Sequence, residues 1–95
     1  VYKITCGICG ERYIGESKRE LSTRVEEHAS HAQHKIKKEP WGLHYATHHP
    51  KARASFSKIE VIATIQDVIA RKIREAIEIR QQKPEINISS GYQLS

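Results

Sequence analysis

The chain contains no methionine, one tryptophan and one phenylalanine among its 95 residues, and only two cysteines. The missing methionine predicts a domain excised from a longer protein rather than a complete translation product. No apolar run approaches the roughly 20 residues that cross a bilayer, and no signal-peptide pattern opens the chain. A membrane is therefore not expected as a partner. Few large aromatics at this length mean a thin core in a single domain, residues 1–95. With 38% hydrophobic and 28% charged residues, the composition is that of a globular chain and not a disordered one. Two cysteines are too few for a disulfide scaffold, and their Cys-x-x-Cys spacing suits metal binding or redox chemistry better. There is no internal repeat and no low-complexity segment.

What is present in excess is positive charge. Sixteen Lys and Arg stand against eleven Asp and Glu, a net charge of +5 and a sequence pI near 9.4. A polyanion is the natural partner, because cationic side chains that neutralise phosphates release counterions. A merely soluble basic domain would carry the same charge.

The first fifteen residues, VYKITCGICGERYIG, read as two short strands around a tight loop. Tyr2 and Ile4 alternate with Val1, Lys3 and Thr5, the period of a two-faced strand. Glu11–Ile14 returns, and Gly7 and Gly10 in Cys6-Gly7-Ile8-Cys9-Gly10 allow the turn. Tyr2 and Tyr13 then project from one small sheet, where they either pack or work. Ser17 and Glu20 form a capping-box pair for a first helix, with Leu21, Val25, Ala29 and Ala32 as its apolar stripe and Arg24 and His28 bordering it. Lys18, Arg19, Glu20, Glu26 and Glu27 are expected on a solvated face. His34–Glu39 reads as a basic loop able to touch phosphate. Pro40 opens a short helix over Trp41–His48, ended by Pro50. Phe56–Thr64 reads as a strand, and Asp67 stands near the start of the longest helix. Ile65, Ile69, Ile73, Ala76 and Ile77 are its expected core stripe, and Pro84 stops it. The tail, Glu85–Leu94, is expected to be partly extended, a candidate edge strand, with a turn at Ser89-Ser90-Gly91. The order predicts an α+β domain: a small, mainly antiparallel three-stranded sheet flanked by helices.

Two candidate metal groups follow from residue type. Cys6 and Cys9 supply two thiolates of a tetrahedral zinc site, and His44 with His48 or His49 supplies its second half, one helical turn apart. His31 and His34 are a rival pair. The 34 residues between Cys9 and His44 are far more than a DNA-reading finger uses, so the zinc reads as a structural staple for a thin core. Alternatively the cysteines are small buried residues and the histidines surface groups. Glu75 lies about 200° around the helix from Ile73 and Ile77. It is either a surface partner of Arg71 or a hard oxygen ligand for Mg²⁺.

Tyr13-Ile14-Gly15 with Tyr2 resembles the two halves of the signature of the GIY-YIG nuclease family, the first half being degenerate at Val1-Tyr2-Lys3-Ile4. That family carries, in order, an arginine and a histidine on its first helix, a glutamate on a later helix and an asparagine beyond. Arg24, His28, Glu75 and Asn87 occur here in that order, so the resemblance spans Tyr2 to Asn87. The closer resemblance is to the endonuclease domain of Penelope-like retroelements. It rests on Val1-Tyr2-Lys3-Ile4-Thr5-Cys6, Cys9, Tyr13-Ile14-Gly15-Glu16-Ser17 and Arg24-Val25-Glu26-Glu27-His28, with Ser17 and an irregular histidine cluster as departures. The resemblance implies a DNA endonuclease with Tyr2, Tyr13, Arg24, His28, Glu75 and Asn87 as catalytic residues. Glu75 would hold Mg²⁺ or Mn²⁺, Arg24 would neutralise transition-state charge, Tyr2 would help deprotonate or orient water, and Asn87 would position groups around the phosphate. A basic Tyr2 needs a strongly cationic surrounding, which Arg24, Lys3 and the metal would supply. It also implies a structural Zn²⁺, nuclear residence, further domains such as a reverse transcriptase, and a nick whose 3′ hydroxyl primes reverse transcription. Two alternatives stand beside it: a non-catalytic zinc module that binds nucleic acid, and a structure-selective DNA-repair nuclease of the same family.

Overall fold

The structure is a computed structural model that describes residues 1–89. It is an α+β fold with an antiparallel three-stranded sheet in the order β2-β1-β3. The elements are β1 (Tyr2–Cys6), β2 (Arg12–Gly15), α1 (Leu21–Gln33), α2 (Pro40–His48), β3 (Phe56–Val61), α3 (Val68–Gln82) and α4 (Glu85–Ser89). β1 pairs Tyr2 with Gly15 and Ile4 with Tyr13 on one side, and Tyr2 with Val61 and Ile4 with Ile59 on the other. Alternation along β1 sends Tyr2, Ile4 and Cys6 to one face, all buried.

That face carries the main core. Tyr2, Ile4, Cys6 and Tyr13 pack with Ala32 of α1, Trp41 and Tyr45 of α2, and Ile86 of α4. Trp41 links the layers through ring contacts with Tyr13, Tyr45 and Phe56. The opposite face holds a smaller cluster of Val1, Ile14 and Ile79, flanked by Ile62 and Ala63. α2 starts at Pro40 as the sequence indicates, because proline has no amide proton to leave unpaired at a helix start.

Three sequence expectations are corrected and one is narrowed. Ser17 and Glu20 do not form a capping box: α1 starts at Leu21 with no side-chain cap, and Ser17 Oγ instead accepts from Arg19 N at 3.0 Å. The basic loop is partly committed to structure, since Lys35 Nζ donates to the carbonyls of Ala32, Gln33 and Ala52. The tail is helical rather than extended over Glu85–Ser89. Asn87, fully buried, meets the open edge of β2 with its side chain, Oδ1 accepting from Ile14 N at 2.8 Å and Nδ2 donating to Ile14 O at 2.9 Å. One amide side chain thus satisfies edge groups that a fourth strand would have taken. The expected turn at Ser89-Ser90-Gly91 and the rest of the tail fall largely outside the described residues.

The largest correction concerns α3. Its stripe of Ile69, Ile73 and Ile77 is exposed, at 66%, 55% and 44%. Arg71, Glu78 and Ile79 are buried instead. The reason is the narrowness of the second sheet face. Val1 and Ile14 offer room for one isoleucine, Ile79, while Glu16 beside them draws in Arg71, whose Nε lies 3.0 Å from Glu16 Oε2. Asp67 caps the helix, accepting from Ala70 N at 2.7 Å, in keeping with its expected place.

Candidate functional site

Cys6 closes β1 and Cys9 sits in the following loop. Cys6 N donates to Glu11 O and Gly10 N to Cys6 O, folding the loop back on itself. Gly10 has φ +78°, a conformation that costs side-chain-bearing residues energy. His44 lies on the inner face of α2 and His49 at its C-terminal end, so Pro50, by stopping the helix, fixes His49 where it is. One ligand atom from each of Cys6, Cys9, His44 and His49 falls within 4.8 Å of the other three. Cys9 Sγ is 3.4 Å from His44 Nε2. His49 Nε2 is buried without a hydrogen-bond partner. An orphaned imidazole nitrogen beside two thiols is what a metal site looks like before the metal is counted. Burial, then the neighbouring His49 and His48, brings His44 down to about 4, so it is neutral and able to donate a lone pair at pH 7.

This cluster matches the expected ligands and decides among the histidines. His48 is exposed and outside the group, and His31 and His34 belong to α1 and the residue after it, His31 facing Glu39. Two outer partners were not read from the sequence. Glu11 places a carboxylate oxygen 3.5 Å from His44 Nδ1, where it can orient the ring. Tyr45 Oη lies 3.6 Å from Cys6 Sγ while it donates to Ser55 O and accepts from Ser55 N, each at 2.9 Å. Only the position of Glu11, just after the cysteine loop, could have signalled the first.

The second centre is the tyrosine face. Tyr2 Oη and His28 Nε2 are 2.8 Å apart and buried. Arg24 lies close enough for its positive charge to act on Tyr2, while its Nη1 donates to Glu27 at 3.2 Å. Tyr13 stacks edge-on against His28 with ring centroids 5.1 Å apart. Burial dominates both titrations: Tyr2 is pushed up to about 12 against the opposing charge of Arg24, and His28 is brought down to about 3. Both are neutral at pH 7. The cationic surrounding expected around Tyr2 is therefore outweighed, and Lys3 does not join it. Lys3 projects from the other face of β1, 3.5 Å from Glu60 and donating to Gln82.

Gly15 explains the last letter of Tyr13-Ile14-Gly15. It pairs with Tyr2 across the sheet, and a Cβ there would lie 2.6 Å from Tyr2 Oη and 2.9 Å from the Tyr13 ring. Only glycine leaves space for the two rings.

Beside Tyr2 opens a cleft of about 520 Å³. Tyr2, Lys18, Arg19, Arg24 and Arg71 line it together with Val1, and no Asp or Glu does. The chain matches no family model, no curated protein and no solved structure. Lys18 and Arg19, expected on a solvated face, therefore stand at the rim of a concave surface, and Arg71, expected as a surface partner, forms part of its wall.

Glu75 does not line the cleft, although its charge acts on Tyr2 and on the Val1 amino group. It is half-buried on the inner side of α3, off the isoleucine stripe as the sequence indicates, and forms no ion pair among the described residues. Arg71 pairs with Glu16 in its place. Burial first, then the Glu16 charge, pushes the Glu75 carboxyl above the usual range. Glu16 is held low: burial opposes this, but hydrogen bonds from Arg71 and Lys72 prevail. Tyr2, Tyr13, Arg24 and His28 are thus gathered in one place, and Glu75 stands near them. Asn87 lies behind β2, bonded to the residue between Tyr13 and Gly15, and so supports the strand that carries them.

Proposed function

We propose that this domain is a DNA endonuclease of the GIY-YIG type, with the cleft beside Tyr2 receiving a phosphodiester. The observation that carries the reading is a cleft lined by four cationic side chains and no acidic one, with the buried Tyr2–His28 hydrogen bond and the half-buried Arg24 at its side. Lys18 and Arg19 hold the nucleic-acid backbone, since point and fork cations neutralise phosphate oxygens. Arg24 stands where its planar fork stabilises charge developing on the scissile phosphate. Tyr2 stays protonated at pH 7 and so acts through its hydrogen bonds. It orients the attacking water and passes its proton to His28 Nε2 as it takes the one the water releases. Burial keeps that nitrogen unprotonated at pH 7, at the cost of basicity.

Mg²⁺ or Mn²⁺ fits at Glu75 by donor chemistry: a hard carboxylate oxygen with no cationic partner among the described residues, raised in pKa by burial and by Glu16. When bound, such an ion supplies Lewis acidity at the phosphoryl and leaving oxygens. Cys6, Cys9, His44 and His49 would hold Zn²⁺, whose two thiolates and two imidazoles tie the β1–β2 loop to α2 and stabilise a thin core. By resemblance to Penelope-like retroelements, the nick would prime reverse transcription in the nucleus by a polymerase domain of the same protein.

The test is relaxation of supercoiled plasmid by zinc-loaded protein in Mg²⁺, Mn²⁺ or EDTA. Metal-dependent nicking supports the proposal; equal nicking in EDTA contradicts it. Tight DNA binding with no nicking in either metal favours the second reading, a zinc-stabilised nucleic-acid-binding module, which the cationic cleft and the Cys/His cluster would equally serve.

A further inference from the structure

α3 is amphipathic, and its apolar side faces solvent. Ile69, Ile73 and Ile77 recur every fourth residue and are 66%, 55% and 44% exposed. With Ala70 and Ala76 they occupy about 120° of the helix circumference at 100° per residue. An apolar face of this regularity on a solvated helix marks an interaction surface.

Its sequence says what covers it. Ile69-Ala70…Ile73…Ala76-Ile77 reads the same in both directions about Ile73. A two-fold axis through Ile73 therefore sets Ile69 against Ile77 and Ala70 against Ala76 of a second copy running antiparallel. That is the self-complementarity an isologous interface requires. The alanines let the two backbones approach closely between the isoleucine contacts.

Charge selects the same direction. Arg80 extends the stripe at its C-terminal end, and Asp67 caps the helix at the other end. Antiparallel pairing sets Arg80 of each copy opposite the neutral Gln66 of the other and opposes the two helix dipoles. Parallel pairing would set Arg80 against Arg80. The flanking cations add little repulsion, because Lys72 is paired with Glu16 at 3.2 Å and Arg74 with Glu78 at 2.8 Å within each copy.

We propose that the outer face of α3 is a homodimer interface in which two copies pack antiparallel about Ile73. A single helix pair buries less than the roughly 1,200 Å² of stable complexes, so the dimer is weak and concentration-dependent. The buried side of α3 holds Arg71 and Glu75, so dimerisation leaves the cleft accessible. This inference stands whether or not the domain cleaves DNA.

Sedimentation equilibrium of the zinc-loaded protein over a wide concentration range tests it. Wild type should show a monomer–dimer equilibrium. Ile73→Glu sets two carboxylates face to face in an apolar contact and should weaken association by more than about tenfold. Ile73→Leu should stay within about threefold of wild type. Because Ile73 is exposed, both variants should fold normally, which circular dichroism checks. The direction is read with a short bis-maleimide: Ile69→Cys and Ile77→Cys proteins should cross-link to each other when mixed, and neither should do so efficiently alone. A monomer at every concentration, an unchanged association constant for Ile73→Glu, or preferential self-linking of Ile69→Cys would each overturn the proposal.

Discussion

Replacing Gly15 by alanine tests the tyrosine face at its tightest point. The added methyl would lie 2.6 Å from Tyr2 Oη, 2.8 Å from Tyr2 Cζ and 2.9 Å from Tyr13 Cε2. Ordinary carbon contacts begin near 3.5 Å. Both rings are buried, at 4% and 3% exposure, so neither can swing into solvent. Overpacking of this kind costs about 1–3 kcal/mol. Displacing Tyr2 also stretches its 2.8 Å bond to His28, worth about another 1 kcal/mol. A loss of about 2–4 kcal/mol lowers Tm by roughly 10–25 °C in a domain of this size. Thermal unfolding followed by circular dichroism measures it. Tyr2→Phe in the Gly15→Ala background removes the closest contact and should recover part of the loss, an interaction energy that a double-mutant cycle isolates. If Gly15→Ala melts within about 2 °C of wild type, the packing argument fails.

Cys6→Ser, Cys9→Ser and His49→Ala should each abolish zinc-dependent stabilisation, and His48→Ala should not. At zinc a hundredfold above Kd the lost stabilisation is about 2.7 kcal/mol, read as a fall in Tm that EDTA reproduces in wild type. The pH dependence follows from His28 and His44, held down to about 3 and about 4 against an ordinary 6.5. The unfolded chain binds protons that the folded chain refuses, so stability is complete above about pH 6.5 and declines as pH falls toward 3. Urea unfolding of the zinc-free protein at several pH values should show this slope, flattened in His28→Gln. In DNA binding, Lys18→Ala, Arg19→Ala and Arg24→Ala should each lower affinity and reduce the salt slope by about one. Glu75→Ala should leave affinity unchanged or higher. Fluorescence anisotropy across salt concentrations checks both, and a salt slope unmoved in all three cationic variants would remove the cleft from the binding surface.

Local pattern was enough where neighbouring residues decide structure. The alternation of Tyr2 and Ile4, the prolines flanking α2 and the capping aspartate of α3 all act over a few positions. The four metal-group residues were readable too, because Cys-x-x-Cys and histidines a helical turn apart are local spacings. Choosing His49 over His48 required knowing where α2 ends. Long-range geometry was not readable. Periodicity found the isoleucine stripe of α3 but not its direction, which depends on Glu16 attracting Arg71 from a strand end 55 residues away. Asn87 was singled out only by its place in the family order, and the helix that carries it, where an extended tail was expected, bonds its side chain to Ile14. The cationic character of the cleft needed the fold to bring Lys18, Arg19 and Arg24 together with Arg71.

The central claim is that the Tyr2 cleft and Glu75 make one phosphodiester-cleaving site. It is tested most directly by the initial rate of plasmid nicking in Mg²⁺ for wild type and Glu75→Gln, with melting and DNA affinity measured on the same samples. Glu75→Gln removes the carboxylate charge and keeps its shape. Because that carboxylate is half-buried beside Glu16 with its pKa already raised, the variant should melt at or above the wild-type temperature. It should bind DNA as well as wild type and nick it at least about a hundredfold more slowly. A folded, DNA-binding Glu75→Gln protein that nicks at the wild-type rate would contradict the account.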